Sequence, residues 1–269
     1  MKHNSIKALS IQISLSGLSF CILNRTTNTI ELLNTIQLDK KATPFELLNE
    51  VKTAIDSNSD FEQSFDSVVC IYQNELSCLV PKDLFDENNL ADYLKFNAKI
   101  LKTDYLSYDT IVSGNCMNVY VPLVNINNHV FDTFGSFDYK HSSTILIDTL
   151  LQLSSKDKEE KMYINVNTST FEIVSINDGQ LVFYNTFEYT TKEDFIYYIL
   201  FTVEQLKTNP ETIKTVLTGR IEKDDELFEI LYKYIRFVTF EEPLTNFKFK
   251  DTIKKKANHS DFIILNSFN

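Results

Sequence analysis

The chain has 269 residues, 43% of them hydrophobic and 23% charged, with a formal net charge of −11. This length suits one large domain or two ordinary ones, and the balance allows a sizeable core. Such an acidic chain repels phosphate backbones, so nucleic-acid binding is not expected without a local basic patch. The one candidate patch, Lys248, Lys250, Lys254, Lys255 and Lys256, reads as a solvated face near the C-terminus.

The opening "ALSIQISLSGLSFCIL" alternates apolar and polar residues on both sides of Ser16-Gly17. That pattern predicts a hairpin, with Gly17 free to take a positive φ. "TIELLNTIQL" follows as a third strand. "TPFELLNEVKTAI" predicts a helix: Thr43 is the N-cap, Pro44 fits the first turn and Glu46 completes a capping box. Phe45, Leu48, Val51 and Ile55 recur along it at helical spacing. "SVVCIY", residues 67–72, is almost wholly apolar and suits a buried central strand.

Residues 75–140 are more irregular, with a predicted helix over 86–101 and strands in "YLSYDTIVS" and "NVYVPLV". "HSSTILIDTLLQLS" reads as a helix, and the charged stretch 154–161, "SSKDKEEK", as a linker. The opening pattern then returns. "KMYINVN", "FEIVSI" and "QLVFYNTFEY" are strands, with Asn177-Asp178-Gly179 as a tight turn. A helix from Thr190 follows, with Glu193 as its capping partner and Phe195, Ile196, Ile199, Val203 and Leu206 on its buried side. "IKTVLTG" is a short buried strand, "DDELFEILYKYI" a helix and "RFVTF" a last strand.

Strand-strand-strand-helix-strand therefore occurs twice. Gln12 matches Asn165, Thr43 matches Thr190, and the strand around Cys70 matches the one around Val216, at offsets of about 150 residues. The expected architecture is α/β, with two mixed-sheet halves facing each other across a cleft. The first half spans 1–153 with an inserted subdomain at about 75–140, and the second spans 162–269.

Several residue types narrow the chemistry. Cys21, Cys70, Cys78 and Cys116 show no C-x-x-C spacing and read as free thiols in a reducing compartment. His3, His129, His141 and His259 are scattered, so no metal site is expected. The start "MKHNSIKALS" lacks an apolar signal region, and no apolar run is long enough to span a bilayer. A cytoplasmic address is expected. Only five glycines occur, and neither G-x-G-x-x-G nor a Walker A loop is present.

With its repeated half, the chain resembles the actin-like ATPase superfamily with its duplicated ribonuclease-H-like fold. More closely, it is similar to an uncharacterised bacterial family with a degenerate version of that fold. The resemblance implies a first phosphate motif h-h-h-D-h-G-x-x-x-h-K, which "LSIQISLSGLSF" fits with Gln12, Ser14 and Ser19 at the Asp, Gly and Lys positions. The second motif, D-h-G-x-x-x-T, falls on Asn165, Asn167 and Phe171. The third, h-h-h-T-G-G around the adenosine, falls on "TVLTGR", keeping Thr218 and Gly219 and placing Arg220 at the second glycine.

Both acidic positions and both phosphate-motif glycines are thus replaced. Mg²⁺ favours hard oxygen ligands, usually including a carboxylate, and phosphates need bare backbone nearby. The resemblance therefore implies a vestigial nucleotide cleft at Gln12, Ser14, Asn165, Asn167, Thr218 and Gly219, with no catalytic residue and no cofactor. The leading expectation is a non-catalytic scaffold or inactive partner subunit, alone or in a homo- or heterodimer, with the 75–140 segment carrying partner contacts. The alternative is an ATP- and magnesium-dependent switch or phosphotransferase with unorthodox ligands. A two-metal nuclease needs clustered carboxylates, which "SIQISLSGL" and "YINVNTS" lack.

Overall fold

The computed structural model describes residues 5–96, 98–253 and 258–269. The chain forms two compact units, one of Met1–Leu146, Thr245–Lys254 and Ile264–Asn269, the other of Ile147–Leu244 and Lys255–Ile263.

In the first unit, β1 (Lys7–Ser14), β2 (Gly17–Asn24) and β3 (Thr29–Gln37) form the expected meander, followed by helix α1 (Pro44–Asp56) and β4 (Ser67–Gln73). An excursion then builds β5 (Ser77–Pro81), α2 (Leu90–Leu94), β6 (Ser107–Ile111) and β7 (Cys116–Tyr120). Helix α3 (Val124–Phe134) and β8 (Asp138–His141) return to the main sheet, and α4 (Ser142–Ser154) follows. The second unit repeats the plan with β9 (Lys161–Val166), β10 (Thr170–Asn177), β11 (Gln180–Glu188), α5 (Lys192–Gln205), β12 (Lys214–Gly219), α6 (Glu226–Tyr234) and β13 (Phe237–Phe240). The chain ends with β14 (Lys248–Phe249) and α7 (Phe262–Asn266).

The sheets run β14-β3-β2-β1-β4-β8 and β11-β10-β9-β12-β13. In each, the meander is antiparallel and the two strands beyond the crossover are parallel. Even the irregularity recurs: the register slips at Ile22/Leu23 in one meander and at Ser175/Ile176 in the other, the same step beyond Gln12's partner Ser19 and Asn165's partner Glu172.

Helix α1 has its capping box at Thr43 and Glu46 and buries Leu47, Val51 and Ile55. Phe45, placed on the apolar stripe by its spacing, is 72% exposed. The α5 box is Thr191 with Asp194, one residue later than the sequence suggests, and Phe195, Ile196, Ile199 and Val203 face the core. Gly17 is needed for a reason other than a positive φ. A Cβ there would lie 2.6 Å from the backbone oxygen of Ile36 on β3.

The inserted region is smaller than the irregular segment 75–140. It is the sheet β5-β7-β6 with α2, and it has its own core of Val80, Leu94, Val119 and Val121. Helix α3 and β8 belong to the main plan, since β8 pairs parallel to β4 as β13 does to β12. The long helix expected over 86–101 is reduced to a 3₁₀ turn and α2. The Asp86 carboxylate accepts from the Asn88 backbone and from the Asn88 and Asn89 side chains, and such local bonds compete with helix.

The polar stretch at 154–161 joins α4 to β9 inside the second unit. The boundary between the units falls within α4, between Leu146 and Ile147, and the described residues 245–253 and 264–269 belong with the first unit. Lys248 and Lys250 flank the β14 pairing, while His3 and Lys254, Lys255 and Lys256 lie outside the described residues. Among the described residues no helix is long and apolar enough to cross a membrane.

Candidate functional site

The motif residues of each unit sit on its central strands. In the first unit Gln12 on β1 lies opposite Ser19 and beside Ile71. Its side-chain amide donates to Gln73 Oε1 at 2.9 Å. The Ser14 hydroxyl donates to the Gly17 carbonyl at 3.0 Å, and the Ser19 and Thr35 hydroxyls lie 3.1 Å apart. These side chains are engaged within their own sheet and hairpin.

In the second unit Asn165 on β9 lies opposite Glu172 on β10 and beside Thr218 on β12. Asn165 Nδ2 donates to Glu172 Oε2 at 2.6 Å, and the Thr218 hydroxyl donates to Asn165 Oδ1 at 2.9 Å. Asn167 Nδ2 donates to the same Glu172 oxygen at 3.1 Å, and the Tyr184 hydroxyl to the other at 3.5 Å. Gly219 holds φ at +81°, and a Cβ there would fall 2.2 Å from the Val166 oxygen and 2.9 Å from Asn165 Oδ1. Only glycine lets β12 come this close to β9. Arg220 donates from its backbone to the Val166 carbonyl at 2.7 Å and from Nη1 to the Thr168 hydroxyl at 2.9 Å.

The structure thus brings Asn165, Asn167, Thr218 and Gly219 together and adds two residues that the motif reading missed, Glu172 and Tyr184. Glu172 is 2% exposed. Burial raises its carboxyl above the usual glutamate range, opposed by the hydrogen bonds from Asn165, Asn167 and Tyr184. The motif reading also assigned Phe171 to the hydroxyl-bearing position. Phe171 instead packs in the core against Phe195 and Phe187, with ring centroids 4.8 and 5.3 Å away. Side chains alternate along a strand, so it is Glu172, not Phe171, that shares a face with Asn165. The signal lay in "TFEIVSI", where a single carboxylate interrupts an apolar run.

This network is closed. The Asn165 amide both donates and accepts, and two amides converge on one Glu172 oxygen. An ionised aspartate at 165 could not donate to Glu172, whereas the asparagine supplies a donor in either protonation state of Glu172. Among the described residues no three His, Cys, Asp or Glu side chains are placed to hold a metal ion.

A second buried polar cluster ties the inserted sheet to the β8–α4 junction of the first unit. The Asp109 carboxylate accepts from the His141 backbone at 2.8 Å and from the Thr144 and Tyr120 hydroxyls at 2.7 and 3.1 Å. His141 Nδ1 accepts from the Ser143 backbone at 3.2 Å, which leaves Nε2 to donate to the Asn74 carbonyl at 3.1 Å. The Ser143 hydroxyl lies 2.7 Å from Nδ1, a nucleophile–base spacing, but Ser143 is fully buried and His141 only 1% exposed. Burial holds the imidazole down to about 4.

A meander, a crossover helix and parallel strands, made twice, define a protein of the actin-like ATPase fold. Among solved structures the chain is similar to a Bacteroides thetaiotaomicron protein with an actin-like ATPase fold and unknown function. The identity is 24% and the TM-score 0.75, over 90% of this chain and 93% of that one. It is also similar to a chain of the PilM–PilN type IV pilus biogenesis complex, at 10% identity and a TM-score of 0.60, over 96% of this chain and 95% of that one. The chain belongs to the family described as protein of unknown function (DUF3822), whose model matches residues 1–238. No curated protein matches it.

Proposed function

We propose that this protein is a non-catalytic member of the actin-like fold that works through protein contacts, as a scaffold or as an inactive partner subunit. The observation that carries this reading is the buried Glu172, held by Asn165 and Asn167 at 2.6 and 3.1 Å where the second phosphate motif falls. The two positions that in a working site supply the magnesium-binding carboxylate and the bare backbone instead carry asparagine amides committed to an internal acid. In the first unit Gln12 and Ser14, where the first phosphate motif falls, are likewise bonded internally, to Gln73 and to the Gly17 carbonyl. The PilM–PilN complex supports the second half of the reading, since there a protein of this fold assembles with another protein. Cys21, Cys70 and Cys116 are buried and in no disulfide, which suits a reducing, cytoplasmic setting.

The test is a thermal melt of the purified protein with and without about millimolar Mg-ATP, beside a phosphate-release assay. A working site at about 100 times its dissociation constant would add roughly 2.7 kcal/mol. In a chain of this size that is a rise of roughly 5–10 °C. The expected result is no shift and no phosphate release. A rise of that size, lost on removing Mg²⁺, would install the ATP-binding switch in its place.

A further inference from the structure

A cavity of about 590 Å³ opens in the first unit at the C-terminal ends of two helices, and the phosphate motifs take no part in it. Ile55, Phe61, Phe65 and Phe134 form its apolar walls, and Asp56 and Glu62 its charged groups, with no cation among the lining residues. Phe65 and Phe134 meet edge to face at 5.8 Å, so the aromatic wall is ordered by its own packing. The volume falls within the range of pockets that bury small ligands or anchoring side chains.

Its electrostatics run against ordinary helix design. The C-terminal end of a helix carries partial negative charge, and cations are favoured there. Helix α1 ends at Asp56 with no basic residue in its last turn, and α3, which brings Thr133 and Phe134 to the cavity, has none in its last turn either. The last residues of two helices and two carboxylates therefore line one space together with Phe61, Phe65 and Phe134. Lys52, one turn back on α1, does not line it. The helix-end carbonyls are capped within the chain, by Ser57 on α1 and Gly135 on α3, and Lys7 Nζ reaches Gln63 at 2.6 Å, so it is Asp56 and Glu62 that give the lining its charge and its complementarity to a cation.

We propose that this cavity receives a short segment of a partner protein that carries an arginine or lysine beside an apolar side chain. The aromatic faces take the apolar stem and attract the cation above it, and the carboxylates hold the charge. This assignment rests on the partner-binding reading above and gives that partner a chemistry.

The experiment is an amide NMR titration of the full chain with the capped tripeptide acetyl-Leu-Arg-Leu-amide, against acetyl-Leu-Glu-Leu-amide as control. The arginine peptide is expected to shift the amides of Ile55–Phe65 and Thr133–Phe134, and the glutamate peptide to leave them in place. Combining Asp56→Asn with Glu62→Gln, both at exposed positions that leave the core untouched, is expected to weaken the arginine peptide about two- to fivefold per carboxylate. No shift at these amides, or equal shifts from both peptides, overturns the assignment. A protein indifferent to both Mg-ATP and the arginine peptide loses this site but keeps its non-catalytic reading, whereas a response to Mg-ATP defeats that reading whatever the peptide does.

Discussion

Asn165 lies directly across the β9–β10 ladder from Glu172 and gives its side-chain amide hydrogen to the Glu172 carboxyl at 2.6 Å. Its own carbonyl accepts the Thr218 hydroxyl at 2.9 Å. The pair works only while one member donates and the other accepts. Asn165→Asp turns it into two facing acids and removes the donor. The expected loss is roughly 2–3 kcal/mol, larger at pH 8 than at pH 5, where the two can share a proton. Adding Glu172→Gln restores one donor and one acceptor. A double variant no more stable than Asn165→Asp in chemical denaturation would show that the two residues are not coupled.

Glu172 also gives stability a pH dependence. Its folded-state carboxyl is raised above the ordinary value of 4.5 by burial. The folded protein therefore holds the proton more tightly than the unfolded chain, and stability is lost as pH rises from 4.5 through the folded value. Glu172→Gln has no such loss. Its melting temperature is expected to gain on the parent protein between pH 5 and pH 8, and parallel curves across that range would rule out the raised carboxyl as the cause.

His141 acts in the opposite direction. Its folded value is about 4 against an ordinary 6.5, because burial disfavours the imidazolium. The unfolded chain takes up the proton first, so this contribution is complete above pH 6.5 and lost as pH falls through 4. The shift corresponds to about 3 kcal/mol. His141→Gln is expected to flatten the acid limb of the stability curve in that window. The direct check is an imidazole NMR titration in the folded protein, which should show no protonation near pH 6.

Gly219→Ala is the backbone counterpart. It places a methyl 2.2 Å from the Val166 oxygen and imposes φ near +81° on a residue with a Cβ. The left-handed conformation alone costs roughly 1–2 kcal/mol, and the clash adds overpacking of similar size. A total of about 3 kcal/mol is expected in a denaturant titration. A loss below about 1 kcal/mol would mean that β12 can move away from β9 freely.

Much of the fold was legible because it rests on local rules. Alternating strands, the Thr43–Glu46 capping box and the helical spacing of Val51 and Ile55 depend on neighbours in sequence, and they recur at matched offsets in both units. Helix α3 was hidden because its face is weakly apolar, with Ile126 and Val130 as its buried residues among asparagines. Strand β8 was hidden because only the parallel pairing to β4 makes "DYKH" a strand. The site was half legible. The residue types at Gln12, Ser14, Asn165 and Asn167 could be read in the chain, but the partners they bond could not.

The sequence by itself determined the repeated unit and the residue types at its matched positions, since both follow from residue type at fixed spacing. Only the tertiary structure decided that Phe171 belongs to the core and Glu172 to the site, because one step along a strand changes the face and the register with β9 chooses which residue meets Asn165. It also decided that α3 and α1 end at one cavity, because the approach of two helix ends is set by their packing in one core and by no pattern along the chain.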